Sequence, residues 1–147
     1  GGIVANGTYR VTPRHATTKA LDVFGHQTQD GADVIQWAYG GGPNQRWTLT
    51  HQGNNVYQII GVESGKALSV ASTSTANGVN VDIRTDTGAS NQRWTISATS
   101  GGYYRLTPLS SSASCLDVNG ASTGDGANVF QWTYGGANNQ QWTFQAP

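Results

Sequence analysis

The stretch Asn44-Gln45-Arg46-Trp47 decides the fold, because it returns twice further along the chain. It recurs as Asn91-Gln92-Arg93-Trp94 and again as Asn139-Gln140-Gln141-Trp142, at nearly even spacing. Each tryptophan is followed by a threonine and an apolar residue, a pattern typical of a short strand entered through a polar turn. The chain therefore consists of three copies of one unit.

Three more strands are predicted before this stretch in every copy. The first alternates apolar and polar residues and comprises Tyr9–Pro13, Tyr57–Ile60 and Tyr104–Pro108. The second comprises Ala20–Val23, Ala67–Val70 and Cys115–Val118. The third comprises Val34–Tyr39, Val81–Asp86 and Val129–Tyr134. In the second strand leucine and valine alternate with a polar residue, so we expect one face to be buried and the other to face solvent.

Four strands in each copy predict an all-β chain of twelve short strands. No window shows apolar residues at helical spacing, and glycine interrupts the chain too often for long helices. Tight turns are predicted at Asp30-Gly31, Asn77-Gly78 and Asp125-Gly126, just before the third strand of each copy. The repeat is close in length to a propeller blade, but three blades are fewer than the typical minimum of about four. A closed barrel with threefold pseudosymmetry fits better.

The composition favours one domain with a neutral, polar partner. A chain of 147 residues can bury a core without metals or disulfides. Its formal net charge is +0 and charged residues make up 11%, against a usual share of about 25%. Nucleic acids and anionic membranes attract basic faces, so neither is expected as a partner, and no apolar run is long enough for membrane insertion. The start, Gly1-Gly2-Ile3-Val4, lacks the pattern of a secretory signal, so we expect a mature or excised domain.

Few residues could carry metal or catalytic chemistry. Cys115 is the single cysteine and matches alanine in the other copies, which indicates a small core residue. The histidines share no metal-like spacing, so we expect neither a metal nor another cofactor. Glycoside hydrolysis needs two carboxyl groups about 5 to 10 Å apart. Glu63 is the sole glutamate, and the matching Asp22 and Asp117 belong to different copies. We therefore expect no enzymatic activity.

The recurring Gln-x-Trp tripeptides, with leucine, aspartate and valine upstream and an aromatic residue between, resemble those of ricin B-type lectins and family 13 carbohydrate-binding modules. The resemblance extends from about Ile3 to Phe144. It implies a β-trefoil, in which six strands form a barrel and six form hairpins that cap one end. It also implies a single non-catalytic carbohydrate-binding domain over residues 1–147, with lobes at about 3–52, 53–100 and 101–147.

The same resemblance implies roles for four residues in a lobe. An aspartate on the second strand accepts hydrogen bonds from two adjacent sugar hydroxyls, and an aromatic residue on the third strand stacks on the ring. The asparagine before Gln-x-Trp donates to a hydroxyl, and the glutamine supports the aspartate. The matching residues are Asp22, Trp37, Asn44 and Gln45 in the first copy and Asp117, Trp132, Asn139 and Gln140 in the third. The second copy has Ser69 and Arg84 in place of the aspartate and the tryptophan, so we expect its site to be weak or lost.

The third strand departs from the ricin pattern, which often has a glutamine two residues before the stacking aromatic residue. Ile35 and Phe130 occupy that position here. Strand alternation puts Ile35, Trp37 and Tyr39 on one face, so Tyr39 and Tyr134 become candidates for a second stacking surface. The sugar therefore stays open among galactan, xylan, arabinan and β-glucan.

The tryptophans divide into two groups. Those of the repeated stretch recur even in the copy with the weakened site, which indicates core packing for Trp47, Trp94 and Trp142. Trp37 and Trp132 have Arg84 as their counterpart, a residue that a core position would not accept. Trp37 and Trp132 are therefore expected at the surface, in contact with a ligand.

These features predict a carbohydrate-binding module that holds a neutral polysaccharide or oligosaccharide through two similar shallow sites, in lobes one and three. We expect it to be secreted and to target a covalently linked glycoside hydrolase to its substrate, with weak sites acting together by multivalency. The alternative is a free-standing or toxin-associated lectin that recognises cell-surface galactosides. A protein-interaction trefoil is a third class, but such trefoils lack the Gln-x-Trp repeats.

Overall fold

The computed structural model describes residues 2–147, and this part of the chain contains twelve strands in three lobes. Lobe one holds β1 (Gly7–Pro13), β2 (Lys19–Val23), β3 (Ala32–Ala38) and β4 (Trp47–His51). Lobe two holds β5 (Val56–Gly61), β6 (Ala67–Val70), β7 (Val81–Arg84) and β8 (Trp94–Ala98). Lobe three holds β9 (Tyr104–Pro108), β10 (Ser114–Val118), β11 (Val129–Thr133) and β12 (Trp142–Gln145). Short 3-10 helices span Phe24–His26, Pro43–Gln45, Ser90–Gln92, Asn119–Ala121 and Asn138–Gln140. None of the helices in the described residues has the length and apolar character to cross a membrane.

Six strands form a closed antiparallel barrel. β1 pairs with both β4 and β12, β5 with both β4 and β8, and β9 with both β8 and β12. The ring closes between β1 and β12, where Arg10 lies opposite Gln145. The other six strands form the hairpins β2–β3, β6–β7 and β10–β11. The chain is a β-trefoil with threefold pseudosymmetry, as the sequence predicts.

The three hairpins contact one another around the pseudosymmetry axis. β3 pairs with β7, and single bridges join Ile35 to Asn128 and Asn80 to Phe130. The side chain of Asn80 donates to Asp33 at 2.8 Å and accepts from Asn128 at 2.9 Å. Each lobe therefore contributes its third strand to one shared cap.

Three tryptophans connect the barrel to the hairpins inside the core. All are fully buried: Trp47, Trp94 and Trp142. Their indole N–H groups donate to the carbonyl oxygens of Leu21, Leu68 and Leu116, at 3.0, 2.9 and 3.0 Å. One such bond in every lobe ties the fourth strand to the second. The prediction that these tryptophans are core residues is confirmed.

Cys115 is a core residue as well. Its side chain is fully buried on β10, and burial raises the pKa of its thiol to about 12. The reactive thiolate is therefore scarce near neutral pH. The prediction of a small, inert core residue is confirmed.

The second strands differ from expectation, because their polar residues do not face solvent. All three are buried: Asp22, Ser69 and Asp117. The glutamine of Gln-x-Trp in the same lobe lies over each of them and donates a hydrogen bond to it. In β2, β6 and β10 the apolar side chains therefore pack in the core, and the polar side chains on the opposite face are buried under the glutamine instead of facing solvent.

Candidate carbohydrate-binding pockets

Two cavities lie at equivalent positions in lobes one and three. The lobe-one cavity has a volume of about 490 Å³ and the lobe-three cavity about 320 Å³. Eight of the predicted site residues line them: Asp22, Trp37, Asn44 and Gln45 in lobe one, and Asp117, Trp132, Asn139 and Gln140 in lobe three. The hairpin and the Gln-x-Trp turn of one lobe together build each cavity.

The aspartate in each cavity is held by two side-chain amides. Gln45 Nε2 donates to Oδ2 of Asp22 at 2.8 Å, and Asn44 Nδ2 donates to Oδ1 at 3.2 Å. Lobe three repeats the two bonds at 2.8 and 3.1 Å. The glutamine is itself fixed, because it also donates to the Ala38 carbonyl and accepts from the Gly40 N–H. The carboxylate is therefore oriented before any ligand arrives.

Both carboxylates keep capacity for further donors. An ionised carboxylate offers about four lone-pair sites, and the amides of the lobe use one on each oxygen. Burial raises the pKa of Asp22 and Asp117, while the hydrogen bonds from glutamine and asparagine act in the opposite direction. Two adjacent hydroxyl groups, such as a sugar ring carries, can donate to the two free positions.

The asparagines lack the free amide group that donation to a sugar would need. Nδ2 of Asn44 donates to Asp22 and to the Val23 carbonyl, both at 3.2 Å, which uses both of its N–H bonds. Asn139 makes the equivalent pair of bonds at 3.1 and 3.0 Å. Each asparagine therefore offers a ligand its Oδ1 as an acceptor, in place of the donor that the family pattern implies.

Trp37 and Trp132 present their rings beside these carboxylates. They are 43% and 42% exposed, whereas the tryptophans of the repeated stretch are fully buried. Ile35 is buried next to Trp37 and lines the lobe-one cavity. Phe130 stacks on Trp132 with ring centres 5.4 Å apart. An exposed indole face beside oxygen acceptors is suited to a sugar, which has an apolar C–H face and hydroxyl groups around its edge.

Each exposed tryptophan rests against a turn of the neighbouring lobe. A Cβ atom added to Gly126 of lobe three would come 3.8 Å from the ring of Trp37, and one added to Gly78 of lobe two 3.9 Å from the ring of Trp132. The lobe-three turn is fixed in place, because Asp125 accepts from the backbone N–H of the residue after Trp37 at 2.8 Å. Both cavities are therefore supported by two lobes.

Tyr39 and Tyr134 lie outside the cavities, which corrects the expectation of a second stacking surface. β3 ends at Ala38, so strand alternation no longer sets the direction of Tyr39. The guanidinium carbon of Arg10 lies 4.7 Å from the centre of the Tyr39 ring, and that of Arg105 lies 4.3 Å from the Tyr134 ring. This cation–π packing covers one face of each ring.

Lobe two has neither the carboxylate nor the exposed tryptophan of the other two lobes. Ser69 stands at the position of the aspartate, and Arg84 at that of the tryptophan. The guanidinium group of Arg84 donates to Asp82 from Nη2 at 2.8 Å and from Nε at 3.1 Å. Burial raises the pKa of Asp82, and Arg84 opposes that rise. The carboxylate of this hairpin is on the third strand and is already paired.

Sequence reasoning missed the residues at the rim of the cavities, which come from the 3-10 helix after the second strand. They include Phe24 and His26 in lobe one and Asn119 and Ala121 in lobe three. Gly25 and Gly120 at the centre of these helices have φ angles of 62° and 66°, in the left-handed region. Ser72 stands there in lobe two. The sequence therefore did carry a sign of these rim residues: a glycine two residues after the second strand, in the same two copies that have the aspartate and the tryptophan.

The fold and the repeated pockets define the class of protein as a lectin-type β-trefoil. Residues 43–132 and 109–147 match the family described as ricin-type β-trefoil lectin domain-like. The two matches together span well over half of the chain. The chain belongs to this family of carbohydrate-binding domains.

Solved structures and a curated relative agree with this family. The designed threefold-symmetric protein ThreeFoil is 44% identical, with a TM-score of 0.92 over 95% of this chain and 99% of that chain. An exo-β-1,3-galactanase from Clostridium thermocellum is 28% identical, with a TM-score of 0.90 over 100% of this chain and 31% of that chain. The clotting factor G alpha subunit of Tachypleus tridentatus is 41% identical over 59 residues, which are 40% of this chain and 9% of that protein. The chain thus spans a small part of both natural relatives.

Proposed function

We propose that residues 1–147 form one non-catalytic domain that binds a neutral polysaccharide or oligosaccharide through the cavities of lobes one and three. The observation that carries the proposal is the repeated cluster of a buried, amide-held aspartate beside an exposed tryptophan. The cluster is present twice and absent from the described residues of lobe two, where Asp82 is paired with Arg84.

The cluster suggests a binding mode. Two adjacent hydroxyl groups of the sugar donate to the oxygens of Asp22 or Asp117, and the C–H face of the ring packs on Trp37 or Trp132. The neighbouring asparagine accepts from a further hydroxyl through its Oδ1. Every polar group that meets the ligand is already held by the protein, so little side-chain entropy is lost on binding.

Two open cavities on one rigid body favour a multivalent mode. A polysaccharide carries many equivalent residues, so a chain held in one cavity can reach the other. The effective concentration for the second contact is then on the order of millimolar. Weak sites of this kind retain a polymer while releasing a free monosaccharide.

The galactanase likeness supports an attached glycoside hydrolase as partner. This chain covers 31% of that enzyme's chain, as one module of a larger catalytic protein would. The parent protein is then secreted, because polysaccharide substrates lie outside the cell. Galactan is the first polymer to test, ahead of xylan, arabinan and β-glucan.

The test is binding to these four polymers by affinity electrophoresis and calorimetry. Trp37→Ala and Trp132→Ala are each expected to remove one of two sites, and the double variant to remove binding. Leu109→Ala is the matched control, because Leu109 is an exposed apolar residue outside both cavities, at 47% exposure. Unchanged binding in the double variant would overturn the assignment of the sites, and equal affinity for polymer and monosaccharide would overturn the multivalent mode.

A further inference from the structure

The cavities of lobes one and three differ most at the rim formed by the 3-10 helix after the second strand. Lobe one has Phe24 and His26 there, and lobe three has Asn119 and Ala121. The aspartate, glutamine, asparagine and tryptophan are the same in both lobes. Any difference in what the two cavities bind must therefore arise mainly from these rim residues and from Ile35 and Phe130, which occupy the same position on the third strand.

Phe24 gives the lobe-one cavity a second aromatic surface. Phe24 is 49% exposed, so its ring is accessible to a ligand. It lines the same cavity as Trp37, and that cavity is about one and a half times the volume of its counterpart, 490 against 320 Å³. In lobe three the second ring belongs to Phe130 on the third strand, which stacks on Trp132 and so does not offer a separate aromatic surface.

Backbone conformation and a contact with lobe two position the lobe-one rim. Gly25 and His26 both adopt left-handed backbone angles, with φ of 62° and 57°. Nδ1 of His26 lies 3.0 and 3.1 Å from the two carboxylate oxygens of Glu63 in lobe two. Within the part of the chain that the structure describes, no group bonds to its Nε2. Glu63 therefore anchors the imidazole while leaving one ring nitrogen for a ligand.

We propose that Phe24 and His26 form a second sugar subsite, so that the lobe-one cavity binds two consecutive residues of a glycan chain and the lobe-three cavity binds one. The inference rests on the proposed function. One residue stacks on Trp37 and hydrogen-bonds to Asp22. The C–H face of the next residue packs on Phe24, and one of its hydroxyl groups bonds to Nε2 of His26.

The test compares single-cavity variants by calorimetry with matched sugars. Trp132→Ala leaves lobe one and Trp37→Ala leaves lobe three. The probes are galactose with β-1,3-galactobiose, and xylose with xylobiose. In the lobe-one variant the disaccharide that binds is expected to do so about tenfold more tightly than its monosaccharide, a difference of about 1.4 kcal/mol. In the lobe-three variant the two are expected to bind equally.

Exchanging the rim residues isolates the subsite. Phe24→Asn in the lobe-one variant is expected to lower the affinity for the disaccharide to about that for the monosaccharide. Asn119→Phe in the lobe-three variant is expected to create part of the gain. Monosaccharide binding without any disaccharide gain in lobe one, or an equal gain in both lobes, overturns the subsite and leaves the proposed function intact. Failure of every probe to bind lobe one while a polymer is still retained overturns the subsite alone. Unchanged polymer binding in the Trp37→Ala, Trp132→Ala double variant overturns the proposed function and the subsite with it.

Discussion

Asp22 and Asp117 carry the polar part of recognition in the proposed sites. Each is buried, yet each lines a cavity with its oxygens held by amide donors. Ordinary buried carboxylates are satisfied by protein or water and offer nothing to a ligand. Here the hydrogen bonds from the protein fix the group while leaving acceptor positions open.

Replacing the aspartate by its amide tests this reading of the site. In Asp22→Asn an N–H group meets the N–H donors of Gln45 or Asn44, so one buried donor loses its acceptor. Such a group lowers the free energy of unfolding by about 1 to 3 kcal/mol. The sugar hydroxyl groups lose a charged acceptor at the same time, and a hydrogen bond to a charged group contributes about 1.5 to 3 kcal/mol. We therefore expect the sugar affinity of lobe one to fall at least about tenfold. The measurement is calorimetry in the Trp132→Ala background, with Ser69→Ala at the equivalent position of lobe two as the control. Full affinity in Asp22→Asn would contradict the role.

The same carboxyl groups predict loss of binding in acid before loss of the fold. Burial raises the pKa of Asp22 and Asp117 above 3.8, so their protonation, and sugar release, occur as the pH falls through a window above that value. Their own contribution to stability has the opposite sign, since it favours the folded state at low pH and is lost as the pH rises through the raised pKa. Asp86 behaves conversely, because the hydrogen bond from Arg93 lowers its pKa. Its contribution to the stability of the fold is lost only as the pH falls below about 3.8.

A pH series of binding and of the unfolding midpoint, measured side by side, checks this order. Affinity is expected to decline while the midpoint still changes little. A decline in affinity that coincides with unfolding would contradict the assignment to Asp22 and Asp117.

At the scale of elements, the turn before each third strand supports the cavity of a neighbouring lobe. Gly126 and Gly78 lie against Trp37 and Trp132, and both have a φ of 89°. Gly31 is their counterpart, with a φ of 86°, and lies near Arg84. Three similar turns therefore meet two exposed tryptophans and one arginine.

Valine at these positions separates support of the site from support of the fold. Gly126→Val and Gly31→Val force the same left-handed strain, which costs about 1 to 2 kcal/mol in either turn. Only Gly126→Val also displaces Trp37, so it alone is expected to weaken sugar binding, by several-fold in the Trp132→Ala background. Denaturant unfolding and calorimetry measure the two effects. Equal loss of binding in both variants would show that the turns act through global stability.

The strands were largely predictable, because the sequence pattern of each strand occurs in all three copies at matching positions. A pattern that recurs in this way rarely arises by chance. The pairing of a buried aspartate with an exposed tryptophan was predictable in part, because lobe two lacks both residues and has Ser69 and Arg84 at the matching positions. The position of Tyr39 was not, because the strand ends one residue earlier and Arg10 covers the ring. The rim was not predicted either, since Phe24 lies in a 3-10 helix whose side-chain directions follow no strand period.

For the whole molecule, lobe two is a structural part of a closed barrel even though it has Ser69 and Arg84 in place of the aspartate and the tryptophan. Trp94→Phe removes the indole donor to the buried Leu68 carbonyl, at a cost of about 1 to 3 kcal/mol. We expect the free energy of unfolding to fall by that amount and sugar binding in native conditions to stay unchanged. Denaturant titrations followed by circular dichroism measure the loss.

Cys115 in lobe three reports whether the lobes unfold together. Its buried thiol, with a pKa of about 12, should react with a disulfide reagent only after the barrel opens. In Trp94→Phe the thiol is expected to become reactive at the same lowered denaturant concentration at which the strands are lost. Labelling at the unmutated midpoint would mean that lobe three survives without lobe two.

The pairing of β1 with β12 has a consequence for the order of the chain. Because Arg10 lies opposite Gln145, the barrel strands form a ring in which no strand is first or last. The chain could therefore be cut in the turn between β4 and β5, its present ends joined by a short linker, and the lobes read in the order two, three, one. Such a circular permutant keeps every barrel pairing, and we expect it to fold to the same three-dimensional structure although its chain starts at a different strand.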